Sequence, residues 1–294
     1  MSQPTGAYGL RLGGPRLADI DSCLADIGSC PPAWPDVTIE VTRAEPLAGP
    51  GFVGVDQAEI PLSGGVRAVL SRPKRTIHLH AAGVLPPGAI AHPYLAQPAS
   101  VHNWWIGRDT LHAAVVSVDG QAWGILGVRG DGKSSTVAEL ARMGATVLAD
   151  DAATVDEIDG TLIVYAGPRL IDLRVDAAHR FPEAIHLGVI GSRARWRIRL
   201  PLAPPATPLA GWVTLAWGSR IDVISLTVTE RLGLFIAQRG AVLPPTSGER
   251  HLALATLPMF RLTRPRDWSA SRASAGQLLQ RLQGQGAHRV GSYL

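Results

Sequence analysis

The chain has 294 residues, 46% of them apolar and 18% charged, with a formal net charge of +4. That is a folded composition with ample chain for a core, and it excludes a disordered or acidic-tail class. No apolar run approaches about 18 residues, which excludes a membrane-spanning helix. The opening MSQPTGAYGLRLGGPRLADID has no signal-peptide core, so a cytoplasmic protein is expected. The cysteines are Cys23 and Cys30, with neither a zinc spacing nor a disulfide framework between them.

Charge is uneven. Residues 1–100 carry 7 basic against 8 acidic side chains, whereas residues 231–294 carry 9 Arg against Glu249 and Asp267. No nucleic-acid motif accompanies the cationic end, and neither a nucleic-acid nor a membrane partner is expected. Basic residues are almost all arginine; the lysines are Lys74 and Lys133.

In chain order, a helix is expected over 17–27. Short strands follow over 37–41, 52–55, 66–70 and 76–80, punctuated by Gly and Pro. AAGVLPPGAIAHP (81–93) reads as a linker, and residues 94–105 as a short helix. From 110 onward the pattern becomes strand, hairpin and helix. Strands are expected over 113–118 and 121–127 around the turn Asp119-Gly120, then a helix over 134–143 and a strand over 146–149. A further hairpin over 155–165 turns at Asp159-Gly160. The class is α/β (α+β), with a small strand-rich N-terminal domain over 1–92 and a second domain over 101–294. Arg193, Arg195, Arg197 and Arg199 alternate with apolar residues, either as a docking strip for an acidic ligand or as the wet face of an edge strand. Trp104-Trp105 read as core, or as flanks of a base.

The most informative segment is Gly127-Val-Arg-Gly-Asp-Gly-Lys-Ser134, a complete G-x-x-x-x-G-K-[ST]. A buried strand precedes it and a helix follows. Glycines let the backbone amides converge on phosphate oxygens, and the helix N-terminus faces the same anion. The candidate nucleotide-binding residues are Gly127, Arg129, Gly130, Asp131, Gly132, Lys133, Ser134 and Ser135. Lys133 supplies a point charge, and the Ser134 hydroxyl suits Mg²⁺. Asp150-Asp151 end the next strand, where an open α/β sheet borders its ligand crevice. Such carboxylates serve to hold a metal or to accept a proton. His112 precedes the strand pair that leads into the loop.

Together, residues 111–156 resemble the HPr kinase/phosphorylase family. That family carries a histidine before two strands, a GxxxxGKS loop, an ELxxRG helix (here ELARMG) and an ADD strand end. LPMFRLTRPRDW (257–268) is similar to a recurring tail of HPr-kinase-like proteins. The resemblance implies a P-loop catalytic domain of HPr-kinase/PEP-carboxykinase-like fold that uses ATP and Mg²⁺. By the same resemblance, Lys133 binds the β/γ-phosphates, Ser134 ligates the metal and Asp151 is the general base. His112 tunes that base and Asp150 supports the site. The family's "EIRG" metal ligand has its nearest counterpart in Asp172, with Asp176 as a rival. The family's "RPGRN" loop is absent. The pattern is closer to stand-alone HPr-kinase-like proteins similar to lasso-precursor peptide kinases, which implies a Ser/Thr acceptor on a peptide or small protein. A small-molecule kinase and a regulatory nucleotide-binding module remain as alternatives, and homo-oligomer formation stays open.

Overall fold

The computed structural model describes residues 5–14, 28–31, 33–45, 49–238 and 243–289. The helix expected over 17–27, and Cys23 with it, lie outside these. The fold is mixed α/β and divides into two units, one of residues 1–110 and 165–205, the other of 111–164 and 206–294.

The first unit opens with β1 (Thr5–Ala7), β2 (Leu10–Gly13), β3 (Gly28–Ser29), β4 (Asp36–Arg43), β5 (Phe52–Val53), β6 (Gln57–Pro61), β7 (Arg67–Ser71) and β8 (Thr76–Ala81), in sheet order β3-β1-β2-β4-β8-β7-β6-β5. Alternation explains β8: Ile77, Leu79 and Ala81 are buried, whereas Thr76, His78 and His80 are half-exposed. The helix α1 (Ala96–Trp105) follows. Its Asn103, fully buried, donates to the carbonyls of Tyr8 (3.0 Å) and Ala99 (2.9 Å). Trp105 is core, its indole N–H donating to the Gly54 carbonyl at 2.9 Å. The linker reading of 81–93 fails. Ala89, Ile90 and Ala91 are at most 1% exposed, so the Pro/Gly punctuation there shapes a packed turn rather than a tether.

The chain then runs through β9 (Asp109–Leu111), β10 (Ala114–Val118) and β11 (Gln121–Leu126) into α2 (Lys133–Arg142), β12 (Thr146–Ala149), β13 (Ala153–Ile158) and β14 (Thr161–Tyr165). It next returns to the first unit as β15 (Leu170–Leu173), α3 (Val175–Ala178), β16 (Ile185–Ile190) and β17 (Arg193–Arg199), a three-stranded sheet in the order β15-β17-β16. This excursion breaks the continuous division expected from sequence. Its physical cause is a polar core. Arg197 donates to the Gly88 and His92 carbonyls at 3.0 and 3.1 Å. It also forks onto Asp172, Nε to Oδ1 at 2.7 Å and Nη2 to Oδ2 at 2.9 Å. Arg195 and Arg197 are therefore neither a docking face nor a wet edge, whereas Arg193 is half-buried and Arg199 exposed. β17 is the central strand, and Arg195 and Arg197 are 4% and 2% exposed.

The second unit resumes with β18 (Ala206–Trp217), β19 (Asp222–Ser225), α4 (Val228–Gln238), α5 (Gly248–Thr256), β20 (Met259–Arg264) and α6 (Ser271–Arg289). In its sheet β10 lies antiparallel between β12 and β11, and β18 runs parallel to both β11 and β20. The carboxyl ends of β11, β12, β18 and β20 thus share one edge, which is where such sheets bind ligands. Among the described residues, no helix is long and apolar enough to cross a membrane.

Gly124 shows how closely β11 and β18 are packed. It sits opposite Trp212, whose ring is fully buried and whose indole donates to the Leu254 carbonyl at 2.8 Å. A Cβ on Gly124 would lie 2.2 Å from that ring. Gly124→Ala is expected to cost about 1–3 kcal/mol, the range for overpacking a rigid core. A urea melt that leaves the midpoint unchanged would show that the ring can yield.

Candidate active site

β11 delivers the chain at Leu126 into the loop 127–132, and α2 starts at Lys133 with no side-chain cap. Gly127, Gly130 and Gly132 hold φ of 152°, 102° and 82°. These are angles an L side chain resists, and they explain the glycine spacing. The Asp131 carboxylate accepts from the Val128 N–H at 2.8 Å and closes the loop on itself. The uncapped first turn of α2 leaves backbone N–H groups, at the positive end of the helix dipole, for an anion.

Lys133 is buried, 8% exposed. Its Nζ donates to the Gly127 carbonyl at 2.6 Å and lies 3.2 Å from His112 Nε2. Burial pushes the ammonium pKa down, and the charges of Asp150, Asp151 and Asp131 pull it back up. An ammonium that leans on loop carbonyls has exchanged water for neutral acceptors, and a phosphate is a stronger partner for it.

His112 stands just before β10, which brings it to the same sheet edge. Its Nδ1 is 2.9 Å from the Asp151 carbonyl and 3.3 Å from Asp151 Oδ1. The network assigns the proton to Nδ1, donated to Asp151, and leaves Nε2 to accept from Lys133. Lys133, His112 and Asp151 therefore form one connected row. Asp151 holds φ of 88°, a conformation that costs energy for a residue with a side chain, and such strain gathers at working sites. Asp150 points the other way, as adjacent strand-end residues do. It is 8% exposed, and its Oδ1 accepts from the Ser134 hydroxyl at 3.1 Å. Arg129 is exposed on the crest of the loop, and Ser135 is half-buried in the first turn of α2.

No family model matches the chain. It is 33% identical to the HPr kinase/phosphorylase of Clostridium novyi (strain NT) over a 94-residue alignment that takes in 24% of this chain and 31% of that relative. The chain resembles the HPr kinase/phosphorylase family. The match spans less than a third of the relative's length. A solved structure, the HPr(Ser) kinase/phosphatase from Coxiella burnetii, aligns with 60% of this chain and 99% of its own at 12% identity and a TM-score of 0.31.

Among the residues that the HPr-kinase-like pattern singles out, the second unit brings together His112, Gly127 to Ser135, Asp150 and Asp151. It does not bring Asp172, which was expected as a metal ligand. Asp172 lies in the first unit with a side chain 1% exposed, and its oxygens accept from Arg197 and His92. Burial alone would raise its pKa. The hydrogen bonds from Arg197 and His92 outweigh that and hold the carboxyl well below the usual range. Three hydrogen bonds, two from Arg197 and one from His92, thus already engage this carboxylate. Its rival Asp176 is on α3 of the same unit. Among the described residues, no group of three His, Cys, Asp or Glu gathers to hold a metal.

Two residues at the site escaped the sequence reading, Arg264 and Trp217. They end β20 and β18 side by side, Trp217 opposite Arg264 in the ladder. Arg264 Nη2 donates to the Asp131 carbonyl in the loop, and its guanidinium lies 4.5 Å from the centre of the Trp217 ring. The signals available were the cationic C-terminal quarter, with nine arginines, and the tail 257–268, which contains Arg264; neither says which arginine returns to the loop.

Proposed function

We propose that this chain is an ATP-dependent phosphotransferase of the HPr-kinase-like type, which moves the γ-phosphoryl group to a Ser or Thr hydroxyl on a peptide or small protein. The observation that carries the reading is the connected row at the mouth of the loop. Lys133 Nζ is 3.2 Å from His112 Nε2, and His112 Nδ1 is 3.3 Å from Asp151 Oδ1. That row sets a phosphate-binding cation and a proton acceptor on either side of one imidazole. The resemblance to lasso-precursor peptide kinases makes a natural-product precursor peptide the favoured acceptor class.

The chemistry follows from positioning and charge. Loop amides and Lys133 hold the β- and γ-phosphates, so that the γ-phosphorus is presented along the sheet edge. The acceptor oxygen bonds to that phosphorus as the bond to the β,γ-bridging oxygen breaks, and ADP leaves with the electron pair. The hydroxyl proton passes to the Asp151 carboxylate, which His112 orients through its Nδ1–H. Ser134 Oγ and Asp150 Oδ1 are adjacent hard oxygen donors. They fit Mg²⁺, which takes one or two protein oxygens and completes its shell with phosphate and water. When bound, that ion would neutralise charge on the phosphates.

The test is intact-mass analysis of serine-containing precursor peptides and small proteins incubated with the chain, ATP and Mg²⁺. A gain of one phosphoryl group on a Ser or Thr is the expected result. ATP binding with no phosphorylated product, across peptides and proteins alike, would overturn the transfer reading.

A further inference from the structure

Arg264 is 6% exposed, and its Nη1 is fully buried without a hydrogen-bond partner. It makes no ion pair among the described residues. The acid whose charge reaches it is Asp131, and that carboxylate is turned to the Val128 N–H. Burial lowers the Arg264 pKa to about 10, with Asp131 opposing the shift. A buried cation with no carboxylate is a costly arrangement. Nothing on its own strand or in the neighbouring loop relieves it: Nη2 meets a neutral carbonyl, and the face of the guanidinium meets the Trp217 ring. Packing is equally tight, since a Cβ on Gly132 would come 2.8 Å from Nη2. The guanidinium therefore sits against the residue that caps α2, at a helix end that already favours anions.

We infer that Arg264 belongs to the anion site of the phosphate loop, its buried positive charge being the standing counter-charge for the nucleotide's phosphates. The inference rests on the nucleotide reading above and adds to it a residue from the far end of the chain. Arg264 is a positioning and charge-complementing residue. Through Nη2 it holds the crest of the loop at Asp131, and through its charge it lowers the cost of bringing several negative charges to α2. The lack of an internal partner is then functional, because a resident carboxylate would compete with the incoming phosphates.

The experiment separates charge from anchoring. Arg264→Gln keeps a donor for the Asp131 carbonyl and removes the charge, whereas Arg264→Lys keeps the charge. Binding of ATP, inorganic tripolyphosphate and adenosine is measured by calorimetry on the full chain, with thermal melts to show folding. Arg264→Gln is expected to weaken ATP and tripolyphosphate by about tenfold or more while adenosine stays within about twofold, and Arg264→Lys to stay within about threefold for all. Equal ATP affinity in Arg264→Gln and wild type overturns the inference, as does Arg264→Lys binding as weakly as Arg264→Gln. Should Arg264→Gln fail to fold, the Lys variant and the wild type carry the comparison. A Lys variant that folds yet loses tripolyphosphate sinks the charge argument. Failure of the wild type to bind either ATP or tripolyphosphate is a different result, which removes the nucleotide reading itself.

Discussion

Asp151→Asn is expected to leave ATP affinity unchanged and to lower phosphoryl transfer by about 10²–10⁴-fold, the usual contribution of a positioned general base. The substitution is nearly isosteric, and Asn tolerates positive φ at least as well as Asp, so the strained backbone at 151 should survive. The His112 Nδ1–H keeps the main-chain carbonyl of residue 151 as its acceptor, at 2.9 Å, so the imidazole keeps its orientation as well. What is lost is the carboxylate alone. Lys133→Ala should behave differently and lower both affinity and transfer, because Lys133 is the cation of the loop and is buried against the Gly127 carbonyl. Equilibrium ATP binding and single-turnover transfer on the two variants check the contrast. Transfer by Asp151→Asn at the wild-type rate would remove Asp151 from its role.

The part of the molecule legible in the sequence is the part governed by local rules. The loop, α2 and β12 stand where glycine spacing, a helical apolar face and an apolar run put them. Strand periodicity alone also found β4, β7, β8, β10 and β11 to within one or two residues. Three features were hidden. β6, QAEIP, alternates Ala58 and Ile60 with Gln57 and Glu59, but five residues ending in Pro61 are a weak strand signal. Ala89 to Ala91 look like a tether because Pro and Gly surround them, and only tertiary contacts reveal a core. Arg197 looks solvated because arginine generally is, until Asp172 arrives from 25 residues earlier to neutralise it. The same holds at the site. Arg264 lies 133 residues from the Asp131 carbonyl it bonds, and nothing in the tail 257–268 tells that its arginine returns to the loop.

The largest effect on stability is expected at Asp172, a residue the sequence pointed to as a metal ligand. Asp172→Ala would leave Arg195, Arg197 and His92 buried together without their carboxylate, since Asp172 pairs with all three at 3.6, 2.7 and 2.8 Å. Breaking a buried pair from one side typically costs about 3–5 kcal/mol. Removing both partners, as in Asp172→Leu with Arg197→Met, should recover much of that, because the uncompensated charge goes with the carboxylate. The acid limb of the stability profile gives the same information by another route. The folded-state pKa of Asp172 is depressed, so its contribution is fully present above the unfolded value of about 4 and is lost as pH falls from there towards the folded value. Denaturant melts between neutral pH and pH 3 should therefore show a decline in the wild type that is shallower in Asp172→Ala. A metal ligand predicts the reverse ordering of effects, with transfer lost and the melt little changed. If Asp172→Ala melts like the wild type and loses transfer, the carboxylate serves the reaction and not the core of the first unit.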